Sequence, residues 1–412
     1  MKRYEAENIG LLAGSMRFSF KKSSSAVAYC ALTIKGGTAS EPAEHSGMAH
    51  LTEHMLFKGT SKRSASSINN RLERLGGELN AYTTKEEIVI YSTTLKEDVL
   101  KAIDLIFELA FDSIYSAREL DKERSVVADE ISLYKDSPSD YIFDDFEQFL
   151  FEGSPLSRPI LGTVSSLKGI KSDDLKIYTS TAFYPCDMSF SVVGNFDFDK
   201  IAASAEKLLD KYISTKSFSS NVNIPDVVEN IFRKDVCKKN HQSNCIIGAP
   251  AYCLYDDKRL PLILLCNLLG GPSSNSILNS SLREKKGLVY TIEASYTQYA
   301  KSGVASIYFG SDKSNVDKCL ALVEDELEKI RTIPLSQTAL QLAKKQLLAQ
   351  NTISMENGEA QALSIGKSTL CYGKYLSEEE IKQKINSIRS EDIQKAAQEI
   401  FAKEKLSYLI YR

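Results

Sequence analysis

The chain contains no tryptophan and only four histidines in 412 residues. It also lacks a CxxC pair, a long apolar run and a marked excess of either charge. Its eight cysteines, at 30, 186, 237, 245, 253, 266, 319 and 371, are scattered, and several, such as Cys30 and Cys266, sit in apolar runs. That distribution excludes a paired-cysteine zinc module and reads as buried free thiols in a reducing compartment. The densest apolar stretch, Pro261–Leu269, is far too short to cross a bilayer. Met1–Phe20 has no apolar segment of the length a signal peptide needs, so it reads as a mature start and the protein as cytoplasmic. The formal net charge of −3, with acids and bases mixed along the chain, speaks against a nucleic-acid or membrane-surface binder.

What is present is apolar material for ordinary cores, 43% of residues, in a chain longer than one core usually organises. Two or more domains are therefore expected. An internal repeat supports two. Leu167–Tyr178 reads LKGIKSDDLKIY and Ile385–Ala396 reads INSIRSEDIQKA, 218 residues further on. Ile170 matches Ile388, Ser172 matches Ser390 and Asp174 matches Asp392, and the register continues from Phe183 and Phe401 to Ser189 and Ser407. Each copy reads as a helix opened by Ser and Asp, followed by a strand. Ser214–Asp226, STKSFSSNVNIPD, has the Ser, Asn and Pro content of an exposed linker. The expectation is a domain over residues 1–213, a linker over 214–226 and a similar domain over 227–412. Ala26–Ile34, Glu87–Thr94 and Gly303–Gly310 read as strands, and Asp98–Phe111 and Ala117–Tyr134 as amphipathic helices. Strands and helices do not alternate as βαβ units. An α+β class is expected, each domain a mostly antiparallel sheet packed with helices.

Three of the four histidines, 45, 50 and 54, fall within ten residues; the fourth is His241. Met48–Gly59 reads MAHLTEHMLFKG, apolar and helical. His50 and His54 are four residues apart, so they project from one helical face one turn apart and reach a common ion. Glu53 lies about 100° around the axis from His54, placed to take a proton from water at the ion's open position. The order is HxxEH, the inverse of HExxH, with the same donor chemistry of two nitrogens and a carboxylate base. A catalytic zinc needs a third protein ligand. His45 is one candidate, in the turn before the helix. Better ones lie on Ala117–Tyr134, where Glu123, Val127, Glu130 and Tyr134 share a face. If Val127 faces the core, the neighbouring carboxylates are drawn inward, where a cation stabilises them. Glu123 and Glu130 are about 10 Å apart along the helix, so only one of them ligates. Asp129 points about 100° away from Glu130. Spacing alone does not choose between Glu130 and Glu123.

HLTEH, followed 76 residues after His54 by Glu130, resembles the pitrilysin/insulinase family of inverted-motif zinc peptidases, in its processing-peptidase β-like branch. The resemblance spans nearly the whole chain. It rests on Met48–Thr60, Gly76–Tyr82 (GGELNAY), Glu123–Ser139 (ERSVVADEISLYKDSPS), Pro159–Thr163 (PILGT) and Leu282–Tyr290 (LREKKGLVY). It implies Glu130 as the third ligand and Glu123 as a supporting carboxylate. It implies that two similar domains form a clamshell chamber, with Arg283 and Tyr290 of the second domain facing the metal. In those positions a guanidinium holds a substrate carbonyl and a phenol stabilises an oxyanion. Asn80 and Ala81 match the family's edge strand that pairs with an extended peptide. Leu269–Leu278 departs from the pattern, with Pro272 and Ser276 where the family has a third Gly and a basic residue. Ser154 stands where a His is common. These departures bear on substrate preference.

The function expected is a zinc-dependent endopeptidase with one Zn2+ per chain. It would act on extended peptides or unfolded termini, as a homodimer or as a heterodimer with a related chain. Pro261–Leu269, the second half's counterpart of the His50 helix, has no ligand. The alternative is a subunit of a hetero-oligomeric processing peptidase that needs its partner for activity. A non-metal α+β protein with histidines in its core is a third reading.

Overall fold

The computed structural model describes residues 8–214, 226–238 and 242–412. The linker expected over 214–226 lies almost wholly outside them, as do His241 and residues 1–7 of the N-terminal stretch. Among the described residues, no helix is long and apolar enough to cross a membrane.

The chain packs as two compact units. One lies within Met1–Ile131, Arg158–Asn223 and Ile353–Leu376, the other within Ser132–Ser157, Ile224–Thr352 and Ser377–Arg412. The first is built on β1 (Ile9–Leu12), β2 (Met16–Lys22), β3 (Val27–Lys35), β4 (Glu78–Thr83), β5 (Glu87–Leu95) and β6 (Met188–Gly194), in the order β1-β2-β6-β3-β5-β4. The second is built on β7 (Arg233–Val236), β8 (Ser243–Pro250), β9 (Val289–Gln298), β10 (Gly303–Ser311) and β11 (Ser407–Tyr411), in the order β7-β11-β8-β10-β9. In each sheet a single pair is parallel, β2 with β6 and β7 with β11, and the other pairs are antiparallel. The central strands β6 and β10 are buried along their whole length. A strand covered on both faces reads as a continuous run of apolar and small residues. β4 is an edge, and its residues alternate between exposed and half-buried.

The two sheets share one plan, and the repeat read from the sequence falls at equivalent places in it. Helices Ser172–Ala182 and Ser390–Ile400 open alike: the Lys171 amide donates to Asp174 at 2.7 Å, and the Arg389 amide to Asp392 at 2.9 Å. Each helix is followed by the strand, β6 or β11, that sits between the parallel and antiparallel partners. In the first unit, helix Val99–Asp112 buries Ile103, Ile106 and Phe107 against the sheet, with the Phe107 ring 4.9 Å from that of Phe190.

Each unit also holds a helix from the other half of the sequence, which two contiguous domains do not anticipate. Gly358–Tyr372 packs on β2, β3 and β6, and Pro138–Leu150 packs on β8 and β11. Polar contacts pin the first: Ser189 donates to the Gly366 carbonyl at 2.6 Å and Ser191 to the Ala362 carbonyl at 2.7 Å. Gly366 lets the helix lie close, because a Cβ there would stand 3.0 Å from both the Ser191 and Thr33 hydroxyls. Gly366→Leu overfills that contact and should destabilise the protein by about 1–3 kcal/mol. Urea unfolding checks this, and an unchanged midpoint would contradict the tight docking.

Candidate metal centre

The helix Met48–Leu56 is fixed at both ends and along one side. Its apolar face, Leu51, Met55 and Leu56, is fully buried in the first unit's core. At its start, Glu41 accepts from the amides of Gly47 at 2.8 Å and Ala49 at 3.0 Å, two of the amides a helix leaves free. Burial pushes the Glu41 carboxyl up to about 8, against the pull of those amides and of Arg158. Gly47 has φ +91°, and a Cβ there would stand 2.7 Å from the Leu161 carbonyl. The PILGT loop is thus packed backbone to backbone against the start of the histidine helix.

His50 and His54 emerge from this helix with ring centroids 4.7 Å apart. Glu130 comes from helix Ala117–Lys135, whose Leu120, Glu123, Val127 and Ile131 are buried. Its Oε1 is 3.7 Å from His50 Nε2 and its Oε2 is 3.5 Å from His54 Nε2. All three ligand atoms lie within 4.8 Å of one another, and this is the one such group found among the described residues. Donors on a tetrahedral zinc ion, each about 2.0–2.2 Å from it, stand roughly 3.4 Å apart, close to the two separations between Glu130 and the imidazoles. Two imidazole nitrogens and a carboxylate are also the donor types a catalytic zinc takes.

Glu123 lies beside the group, with Oε2 3.1 Å from His54 Nδ1 and Oε1 2.8 Å from Lys58 Nζ. A proton on His54 Nδ1, donated to Glu123, leaves the Nε2 lone pair facing Glu130. Glu53 turns to the edge strand instead, where its Oε2 accepts from Thr83 Oγ1 at 2.6 Å. Burial raises the Glu53 carboxyl above its ordinary value. The Thr83 bond and His54 pull it down, and Glu130 adds a push upward. Asn80 is exposed and Ala81 half-buried on β4, whose outer edge pairs with no other strand among the described residues.

Of the remaining candidates, one belongs to the first unit and two to the second. His45 Nε2 is 4.0 Å from Asp174, outside the ligand group. Arg283 and Tyr290 belong to the second unit. Arg283 is exposed in the turn Asn279–Glu284, and Tyr290 is exposed at the start of β9, donating to Asp312 at 2.8 Å. Thr83 and Lys58 were not anticipated. Lys58 lies within a stretch the sequence reading singled out and Thr83 one residue beyond another, but a hydroxyl or an ammonium carries no spacing signal that marks a partner distant in sequence.

Family models match two stretches of the chain: Insulinase (Peptidase family M16) over residues 18–164, and Peptidase M16 inactive domain over residues 169–347. An uncharacterized zinc protease of Bacillus subtilis is 30% identical over 378 residues, covering 92% of this chain and 91% of the relative. One of Streptomyces coelicolor is 28% identical over 372 residues, covering 89% and 81%. The crystal structure of a protease from Helicobacter pylori superposes with a TM-score of 0.88 at 20% identity, covering 98% of this chain and 99% of that one, which shows a common fold.

Burial, with a smaller contribution from His54, lowers the His50 imidazole from 6.5 to about 3. The unfolded state therefore takes up this proton first. The stability contributed by neutral His50 is complete above pH 6.5 and is lost as pH falls toward 3. One such group adds a slope of up to about 1.4 kcal/mol per pH unit. For the metal-free protein, urea midpoints should fall more steeply between about pH 6.5 and pH 4.5 in the wild type than in His50→Gln. Equal slopes would contradict a buried, neutral His50.

Proposed function

The chain belongs to the insulinase family of peptidases, family M16, and from that premise we propose that it is a zinc-dependent endopeptidase acting on extended peptides or unfolded protein termini. The observation that carries this reading is the convergence of His50, His54 and Glu130 on the unit that also holds the half-buried Glu53 carboxylate, hydrogen-bonded to Thr83 of the edge strand β4. Zn2+ is the cofactor, held by these three residues. When bound, it supplies Lewis-acid polarisation of a carbonyl and acidification of water.

The chain's own residues do the rest. Glu53 is the general base. Thr83 holds its Oε2, leaving Oε1 to take the proton of the attacking water and pass it to the leaving amine. Burial favours this traffic, because a carboxyl raised above its ordinary value keeps a proton more readily once it has taken one. Glu123 orients the His54 ring. The substrate adds as a strand to the free edge of β4, where the main chain of Asn80 and Ala81 offers the pairing groups. Arg283 serves as a donor to the bound peptide, and Tyr290 joins it when its hydroxyl turns from Asp312. The protein works in the cytoplasm, paired with a second copy or a related chain.

Glu53→Gln keeps the shape of the side chain and removes the base. It should lower kcat for a quenched peptide by at least about 10²-fold while the zinc content stays equimolar. Turnover at the wild-type rate would show that another group is the base. Thr83→Val should lower kcat by about tenfold with KM little changed, the effect of losing one hydrogen bond of about 1.4 kcal/mol to a charged group. A change in KM alone would place Thr83 in substrate binding instead.

A further inference from the structure

Glu123 is 5% exposed and packed among Leu120, Val127 and Ile131 on its own helix. A carboxylate in such a place needs a compensating cation as well as hydrogen bonds. His54 gives it a hydrogen bond through Nδ1, but a neutral imidazole brings no charge. The cation is Lys58, whose Nζ stands 2.8 Å from Oε1, the oxygen His54 does not use. One carboxylate thus joins a fixed ammonium on one side to a ligand imidazole on the other.

The lysine is planted for this contact. It follows His54 by four residues, just past the end of the helix that carries the histidines. The Phe57 amide donates to the His54 carbonyl and the Lys58 amide to the Met55 carbonyl, closing the helix just before it. Gly59, at φ +142°, then pairs in an antiparallel bridge with Ser64. Beyond it, Thr60 donates to the fully buried Glu108, which Arg63 neutralises. The backbone carrying Lys58 is therefore held on both sides.

We propose that Lys58 is a positioning residue for the metal: it holds Glu123 so that the His54 ring keeps Nδ1–H directed at the carboxylate and Nε2 directed at Glu130. The inference rests on the zinc-peptidase reading above and adds a residue which that reading leaves without a role. Lys58 touches neither the ion nor the substrate and acts only through Glu123.

The test measures zinc affinity, with no reliance on turnover. Wild type, Lys58→Met, Lys58→Arg, Glu123→Gln and the double variant Lys58→Met/Glu123→Gln are stripped of metal, checked for helical content, and titrated with zinc against a chromophoric chelator. Lys58→Met and Glu123→Gln should each weaken zinc binding by about 10–100-fold, the range for partners that orient a ligand. Lys58→Arg, which restores the cation, should recover most of the loss. The double variant should match Glu123→Gln within about twofold, because the lysine has nothing left to act on. That last comparison stands even if Lys58→Met alone does not fold, since the double variant carries no uncompensated carboxylate. Wild-type affinity in either Glu123→Gln or Lys58→Met overturns the proposal, as does a double variant clearly weaker than Glu123→Gln. A wild-type protein that does not bind zinc sinks the peptidase reading instead.

Discussion

A divalent ion demands donor atoms aimed at one point, and a chain meets that demand only by holding rigid elements still. Two of the candidate donors, His50 and His54, come from successive turns of one helix, so their spacing is set by helical pitch. The third comes from a helix far along the sequence, so its placement depends on the packing between them. That packing is supplied by Leu51, Met55 and Leu56 on one side and Leu120, Val127 and Ile131 on the other, all buried in a single core. Everything else in the centre serves the same convergence. Glu41 caps the histidine helix, Gly47 lets the PILGT loop abut it, and Glu123 turns the outer imidazole.

The second unit repeats the sheet plan without the donors. From β7 to β9 its strands follow the sequence of parallel and antiparallel pairs that the first unit has from β2 to β4, but its helix Arg259–Gly270, RLPLILLCNLLG, contains no histidine. Its buried side chains join the second unit's core. The exchanged helices, Gly358–Tyr372 and Pro138–Leu150, show that each sheet's second face is covered by sequence from the other half. Neither half alone carries all the residues that bury its sheet.

The parts of the site legible in the sequence were those governed by local periodicity. The helical spacing of His50, Glu53 and His54 follows from 3.6 residues per turn, and the repeat around Ser172 and Ser390 follows from helix-capping chemistry. The choice between Glu123 and Glu130 was not legible by spacing, because both lie on one helical face two turns apart. In the fold, Glu130 approaches both imidazoles through Nε2, whereas Glu123 meets only His54 Nδ1. The exchanged helices were illegible because an amphipathic pattern says which face is buried, not against what. Thr83 and Lys58 were missed for a related reason: their partners, Glu53 and Glu123, are brought to them by tertiary packing alone.

The central claim is that His50, His54 and Glu130 bind one zinc ion with light-atom donors only. Zinc K-edge X-ray absorption on the purified protein tests it most directly. The account predicts one zinc per chain with a first shell of nitrogen and oxygen at about 2.0–2.2 Å and the outer-shell scattering of two imidazoles. A sulfur shell near 2.3 Å would contradict it, as would an ion that keeps two-imidazole scattering when both His50 and His54 are replaced by alanine.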